Sequence, residues 1–143
     1  MIKVWIGVIG YCLMAVGASS QGRVVAKLSN LRNEKGVCRV CIFNSPAAFK
    51  GEAGIPVGCN TVSAKGEPQV VFEGLPAGTY AVFAFHDVNN NNRMDKNFLG
   101  IPKEGYGASR NNLPFAAAPT FEGNKFMVAN KSTVTVNIRL RNL

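Results

Sequence analysis

The sequence predicts an all-β protein: one antiparallel β-sandwich of about seven strands, with a long loop region after its central strand. Three observations carry this. Short runs of alternating apolar and polar residues recur along the chain. Gly-, Pro- and Asn-containing clusters separate them at the spacing of turns. No stretch has the period of a long amphipathic helix.

The chain opens with something other than a strand. Met1-Ile2-Lys3 is a short positive start, residues 4–16 are almost wholly apolar and uncharged, and Gly17, Ala18, Ser19 and Ser20 are small. This is the three-part pattern of a secretory signal peptide, with cleavage expected after Ala18 or Ser20. The apolar run is shorter than the roughly 20 residues that span a bilayer. Cys12 does not read as a lipid-attachment site, because Tyr11 beside it is too bulky. The expectation is a leader over residues 1–20 and an extracytoplasmic, periplasmic or secreted domain over residues 21–143. That is the size of one domain, large enough to bury a core without help from disulfides.

Within that domain, residues 22–31 alternate, and Asn33-Glu34-Lys35-Gly36 is a turn. Residues 37–43 form the next strand. Ser45-Pro46 opens a loop or a short helix over residues 47–50. Residues 55–63 can be extended, Lys65-Gly66-Glu67-Pro68 turns, and residues 69–72 are short and mostly apolar. Leu75-Pro76-Ala77-Gly78 is a tight turn. Residues 79–86 (TYAVFAFH) are the strongest strand, rich in aromatic and β-branched side chains. A Gly- and Pro-punctuated stretch runs from 87 to about 122. Residues 121–128 and 133–140 close the fold. In the last of these, Val134, Val136, Ile138 and Leu140 face inward, and Thr135, Asn137, Arg139 and Arg141 face outward.

Lys and Arg number 16 against 8 Asp and Glu, a net charge of +8. The excess is scattered and forms no run, which together with export argues against a nucleic-acid interface. Solubility and peripheral contact with anionic surfaces account for it. Cys38, Cys41 and Cys59 follow the leader. The C-x-x-C spacing of Cys38 and Cys41 would suggest redox work on a helix N-terminus. On a strand the two face opposite sides and cannot easily meet. One histidine and one further cysteine are too few to complete a zinc site. Cys38 shares a face with Val40 and Ile42 and reads as core. The expected disulfide is therefore Cys41–Cys59, with Cys38 a leftover thiol.

One loop carries chemistry. From Asp87 to Asp95 (DVNNNNRMD), oxygen-bearing side chains stand at relative positions 1, 3, 5 and 9. This is the ligand rhythm of an EF-hand-type calcium loop. Asp87, Asn89 and Asn91 fit it, the carbonyl of Arg93 takes position 7, and Asp95 binds directly or through water. Position 6 is Asn92 instead of glycine, the non-glycine type that best tolerates that backbone. Position 12 is Phe98 instead of a bidentate glutamate. Glu104 can swing in from the following loop. The competing reading is an Asn-rich turn held by side chain–backbone hydrogen bonds. Ca²⁺ is the only cofactor the sequence suggests.

His86 is the single histidine. A hydrolase or isomerase built on His86, Asp87, Glu104 and Tyr106 is the catalytic alternative. Neighbours on a strand point apart, so His86 reads better as a packed strand-end residue. The Gly100-Ile101-Pro102-Lys103-Glu104-Gly105-Tyr106-Gly107 stretch reads as an ordered loop, its glycines supplying turns and Ile101 and Tyr106 tucking back onto the sandwich.

From Glu73-Gly74-Leu75-Pro76-Ala77-Gly78-Thr79-Tyr80, through His86-Asp87, to Phe98-Leu99-Gly100-Ile101-Pro102-Lys103-Glu104-Gly105-Tyr106-Gly107, the chain resembles the bacterial domain-of-unknown-function family 2141. That family's pattern combines a GLPAGTYA turn and strand, an HDxNxNGxxD loop, NFxGIPxEGYG and a later PxFExAxF. Pro119 to Phe126 match the last, with Asn124 at the small position. Asn92 stands where the family has glycine. The resemblance implies an exported bacterial protein with a transthyretin- or prealbumin-like sandwich, and no assigned activity. The resulting expectation is a monomeric, non-catalytic binding or structural module whose partner is a glycan, a peptide or another envelope protein. The 87–95 and 100–107 loops form its candidate surface.

Overall fold

The computed structural model describes residues 21–143. The leader expected over residues 1–20 lies outside them. In chain order the elements are β1 (Gly22–Ser29), β2 (Val37–Phe43), α1 (Pro46–Lys50), β3 (Gly58–Ser63), β4 (Gln69–Leu75), β5 (Gly78–Asp87), β6 (Tyr106–Ala108), α2 (Phe121–Asn124), β7 (Phe126–Val128) and β8 (Thr133–Arg139).

Alternation decides which face of each strand meets the core. In β8, Thr133, Thr135, Asn137 and Arg139 are exposed, while Val136 and Ile138 are buried, and Leu140 continues the buried row. The same period buries Val24, Ala26 and Leu28 in β1 and Cys38, Val40 and Ile42 in β2. The strands form two sheets, β4-β1-β8 and β3-β2-β5-β6, with β7 also paired to β5. Their inner faces pack into one apolar core to which Phe72, Tyr80 and Val82 also contribute. This is the predicted sandwich, with three corrections.

First, not every pair is antiparallel. β1 and β8 run parallel, with Val24 beside Val134 and Leu28 beside Ile138. Local alternation carries no information about the direction of a partner so distant in sequence. Second, the stretch read as loop contains three-residue β6, which brings the strands among the described residues to eight beside the about seven expected. Three residues are too few for a period to register. Third, the strand expected over residues 121–128 is α2 followed by β7. Thr120 starts the helix by accepting a hydrogen bond from Gly123 N on its Oγ1 at 3.0 Å.

The sandwich is laced at both edges. Tyr106 and Arg141 exchange backbone hydrogen bonds of 3.1 and 2.8 Å, and Asn60 Nδ2 donates to Val71 O at 3.2 Å. Gly107 makes the first of these closures feasible. A Cβ there would lie 2.6 Å from Ile138 Cγ2, so this glycine serves close packing and not the expected turn. On the outer face of the five-stranded sheet, α1 is capped by Ser45, whose Oγ accepts from Ala48 N. It sets Phe49 edge-on against Phe43, Phe83 and Phe121. Cys41 and Cys59 stand directly opposite each other on β2 and β3 and are disulfide-bonded. Cys38 is a free, buried thiol.

Candidate functional site: the 87–104 loop

β5 ends by sending two polar side chains to opposite faces. His86 follows Tyr80, Val82 and Ala84 on the inner face and pairs with Cys38 across the ladder. It is fully buried, and its Nε2–H donates to Lys35 O at 2.6 Å. Among the described residues its Nδ1 has no hydrogen-bond partner.

Asp87 turns to the outer face and is also fully buried. Its Oδ2 accepts from Arg39 Nε at 2.7 Å and from Asn92 N at 2.8 Å, and its Oδ1 accepts from Asn91 N at 3.1 Å. Burial alone would raise the carboxyl's pKa. The Arg39 hydrogen bond, the two loop amides and the Arg39 charge outweigh that and hold it below the usual carboxylate value. Arg39 also donates to Asn90 Oδ1 at 2.8 Å, so one guanidinium ties the strand to the loop. Gly36 presses on the loop's base from the other side. It has φ +69°, and a Cβ there would collide with the carbonyl oxygens of Asp87 and Val88.

The loop curls as the sequence suggests. Asn90 and Asn92 take left-handed backbone, φ 53° and 63°, which puts the tolerant residue where the calcium pattern has glycine. Asp95 is gripped from both sides: Asn89 Nδ2 donates to one oxygen at 2.6 Å and Asn91 Nδ2 to the other at 2.7 Å. Asn91 Oδ1 in turn accepts from Arg93 N at 3.2 Å. Glu104 does reach the loop. Its two oxygens accept from Val88 N at 2.8 Å and Asp95 N at 2.9 Å, fastening the loop's first and last turns together. Among the described residues no three His, Cys, Asp or Glu side chains are grouped so as to hold a metal by themselves. A cation here would depend on asparagine oxygens. A half-turn of the Asn89 or Asn91 amide exchanges its nitrogen for its oxygen.

The four residues of the catalytic alternative are not brought to one surface. His86 and Asp87 face apart, Glu104 is spent on loop amides, and Tyr106 stacks on Phe83 with ring centroids 6.4 Å apart. Beyond Asp95 the chain makes a tight turn over residues 96–102. Asn97 organises it: its Oδ1 accepts from Leu99 N and Ile101 N at 2.9 and 3.1 Å. Tyr106 tucks onto the sheet as expected, whereas Ile101 stays 42% exposed, because the turn stands away from the sheet.

Two residues outside the predicted set matter as much. Arg39 was legible only as an outward strand residue, since its partner lies 48 positions away. Asn124, fully buried, accepts from Arg110 N and Asn112 N and donates to Asn112 O and Thr120 O, all at 3.0–3.2 Å. It anchors the second long loop. Four satisfied bonds explain why a polar amide is tolerated where the motif has a small residue.

Fold and loop together define a small two-sheet β-sandwich with a polar, carboxylate-laced loop at one end. Residues 26–136 match the family described as "Uncharacterized protein conserved in bacteria (DUF2141)", and the chain belongs to that family. It matches no curated protein and no solved structure.

Proposed function

We propose that the protein is an exported, non-catalytic binding module of the cell envelope whose 87–104 loop is stabilised by calcium. The observation that carries this is the Asp95 carboxylate seated between the Asn89 and Asn91 amides. Three side chains at alternating positions already converge on one point. With both amides turned, the Asn89 and Asn91 oxygens join the Asp95 carboxylate in offering oxygens to a hard cation. Arg39 neutralises part of the acidic charge and Glu104 is engaged with amides, so modest affinity is expected. The Cys41–Cys59 bond suits an oxidising compartment and supports export. The 87–95 loop and the following 100–107 segment form the surface offered to a glycan, peptide or envelope-protein partner.

Thermal unfolding with calcium and with a chelator tests the metal. A ligand that binds only the folded state adds RT ln(1 + [L]/Kd), about 2.7 kcal/mol at a hundredfold excess over Kd. The wild type is expected to gain melting temperature in millimolar calcium, and Asp95→Asn to lose that gain while folding normally. Asp95 is the cleaner position, because Asp87 also holds Arg39. No shift in the wild type would leave the loop a hydrogen-bonded turn and sink the metal reading.

A further inference from the structure

The polar loop makes no use of the apolar cleft next to it. Between the 96–102 turn and residues 115–119, a cleft of about 840 Å³ opens over the outer face of the five-stranded sheet. That volume lies within the roughly 300–1,000 Å³ of small-molecule sites. Its floor is aromatic: Phe49, Phe83 and Tyr106, with successive ring centroids 6.3 and 6.4 Å apart. Leu99 forms part of one wall and Phe115 part of the other, 69% and 101% exposed. Contiguous open apolar surface of this kind marks a binding site.

Both walls are fastened without an occupant. Asn97 holds the first turn. Arg141 anchors the segment leading into the second, donating to Leu113 O at 2.8 Å and Pro114 O at 3.1 Å. Among the described residues, Lys96 is the only Lys, Arg, Asp or Glu side chain lining the cleft. It is exposed and has no ion-pair partner among the described residues.

We propose that this cleft binds a small single-chain amphiphile with an anionic head group, the apolar chain lying on Phe49, Phe83 and Tyr106 and the head group paired with Lys96. A concave slot between two loops suits a chain-shaped molecule better than a flat membrane or a convex protein surface. The unpaired cation at its rim selects the sign of the head group. This inference stands apart from the metal reading.

The test is calorimetric titration of the protein with dodecanoate and with dodecyltrimethylammonium, both below their micelle concentrations, in chelator, where no calcium soap can precipitate. Dodecanoate is expected to bind one per chain. The cationic amphiphile should bind about tenfold or more weakly, and Lys96→Gln should narrow that gap. Ala117→Trp, placed on an exposed lining residue where folding is not at stake, should abolish binding with the melting temperature unchanged. The proposal is overturned if dodecanoate does not bind, if both amphiphiles bind equally, or if Ala117→Trp binds normally. Binding to anionic phospholipid vesicles without binding to free dodecanoate would also overturn it. So would a dimer that Ala117→Trp disperses in the absence of amphiphile binding.

Discussion

Asp87 is a buried carboxylate whose charge is held by one guanidinium and two amides, and its energetics follow from that. Its folded pKa lies below the ordinary carboxylate value. Its contribution to stability is therefore fully present above the unfolded value of about 3.9, and is lost as pH falls through the folded one. Arg39→Met strands the charge in a fully buried site. It should cost about 3–5 kcal/mol near neutral pH in denaturant unfolding. The gap to wild type should narrow in acid, as the stranded carboxyl takes up a proton. A cost independent of pH would mean that Arg39 acts only by packing. Cys38 is the second residue with a defined expectation. Burial pushes its thiol up to about 11, so the native protein should resist alkylation at pH 8 and react once unfolded. Rapid labelling of the native protein would show that the core opens at β2.

Among the elements, β5 does the most. Its inner residues complete the core, Phe83 on its outer face lies in the cleft floor, and its last residue starts the polar loop. The sequence identified it as the strongest strand through its run of aromatic and β-branched residues, and it identified the oxygen rhythm of the loop through spacing alone. It could not supply Arg39 or Asn124, whose partners depend on tertiary approach. It also hid β6, too short to have a period, and it placed Ile101 on the sandwich because apolar character does not reveal that a turn projects away. The face assignment of the cysteines was legible because a period of two is strict. The Cys41–Cys59 link joins β3, an edge strand, to β2 across a sequence separation of 18. A bridge of that span is worth about 3 kcal/mol. Cys41→Ser/Cys59→Ser should lower stability by that order, and hydrogen exchange should rise first along β3. Uniform loosening of the whole sandwich would show that the bond serves the global fold instead of its edge.

At the scale of the molecule, two sheets share one core, and the polar loop and the apolar cleft lie side by side at one end. The parallel pairing of β1 with β8 has a consequence for how such a chain can be made. Asn30 Nδ2 donates to Leu140 O across 110 residues of sequence, and every rung between β1 and β8 spans a similar distance. During synthesis β1 must wait, its polar edge unpaired, until β8 has been added. The last of the described strands closes the three-stranded sheet, in which β1 is central. Long-range pairing of this sort folds in milliseconds to seconds, whereas chain growth at about 5–20 residues per second takes longer still. The nascent chain therefore cannot complete its three-stranded sheet until residues 133–139 have been made, however early the other sheet forms.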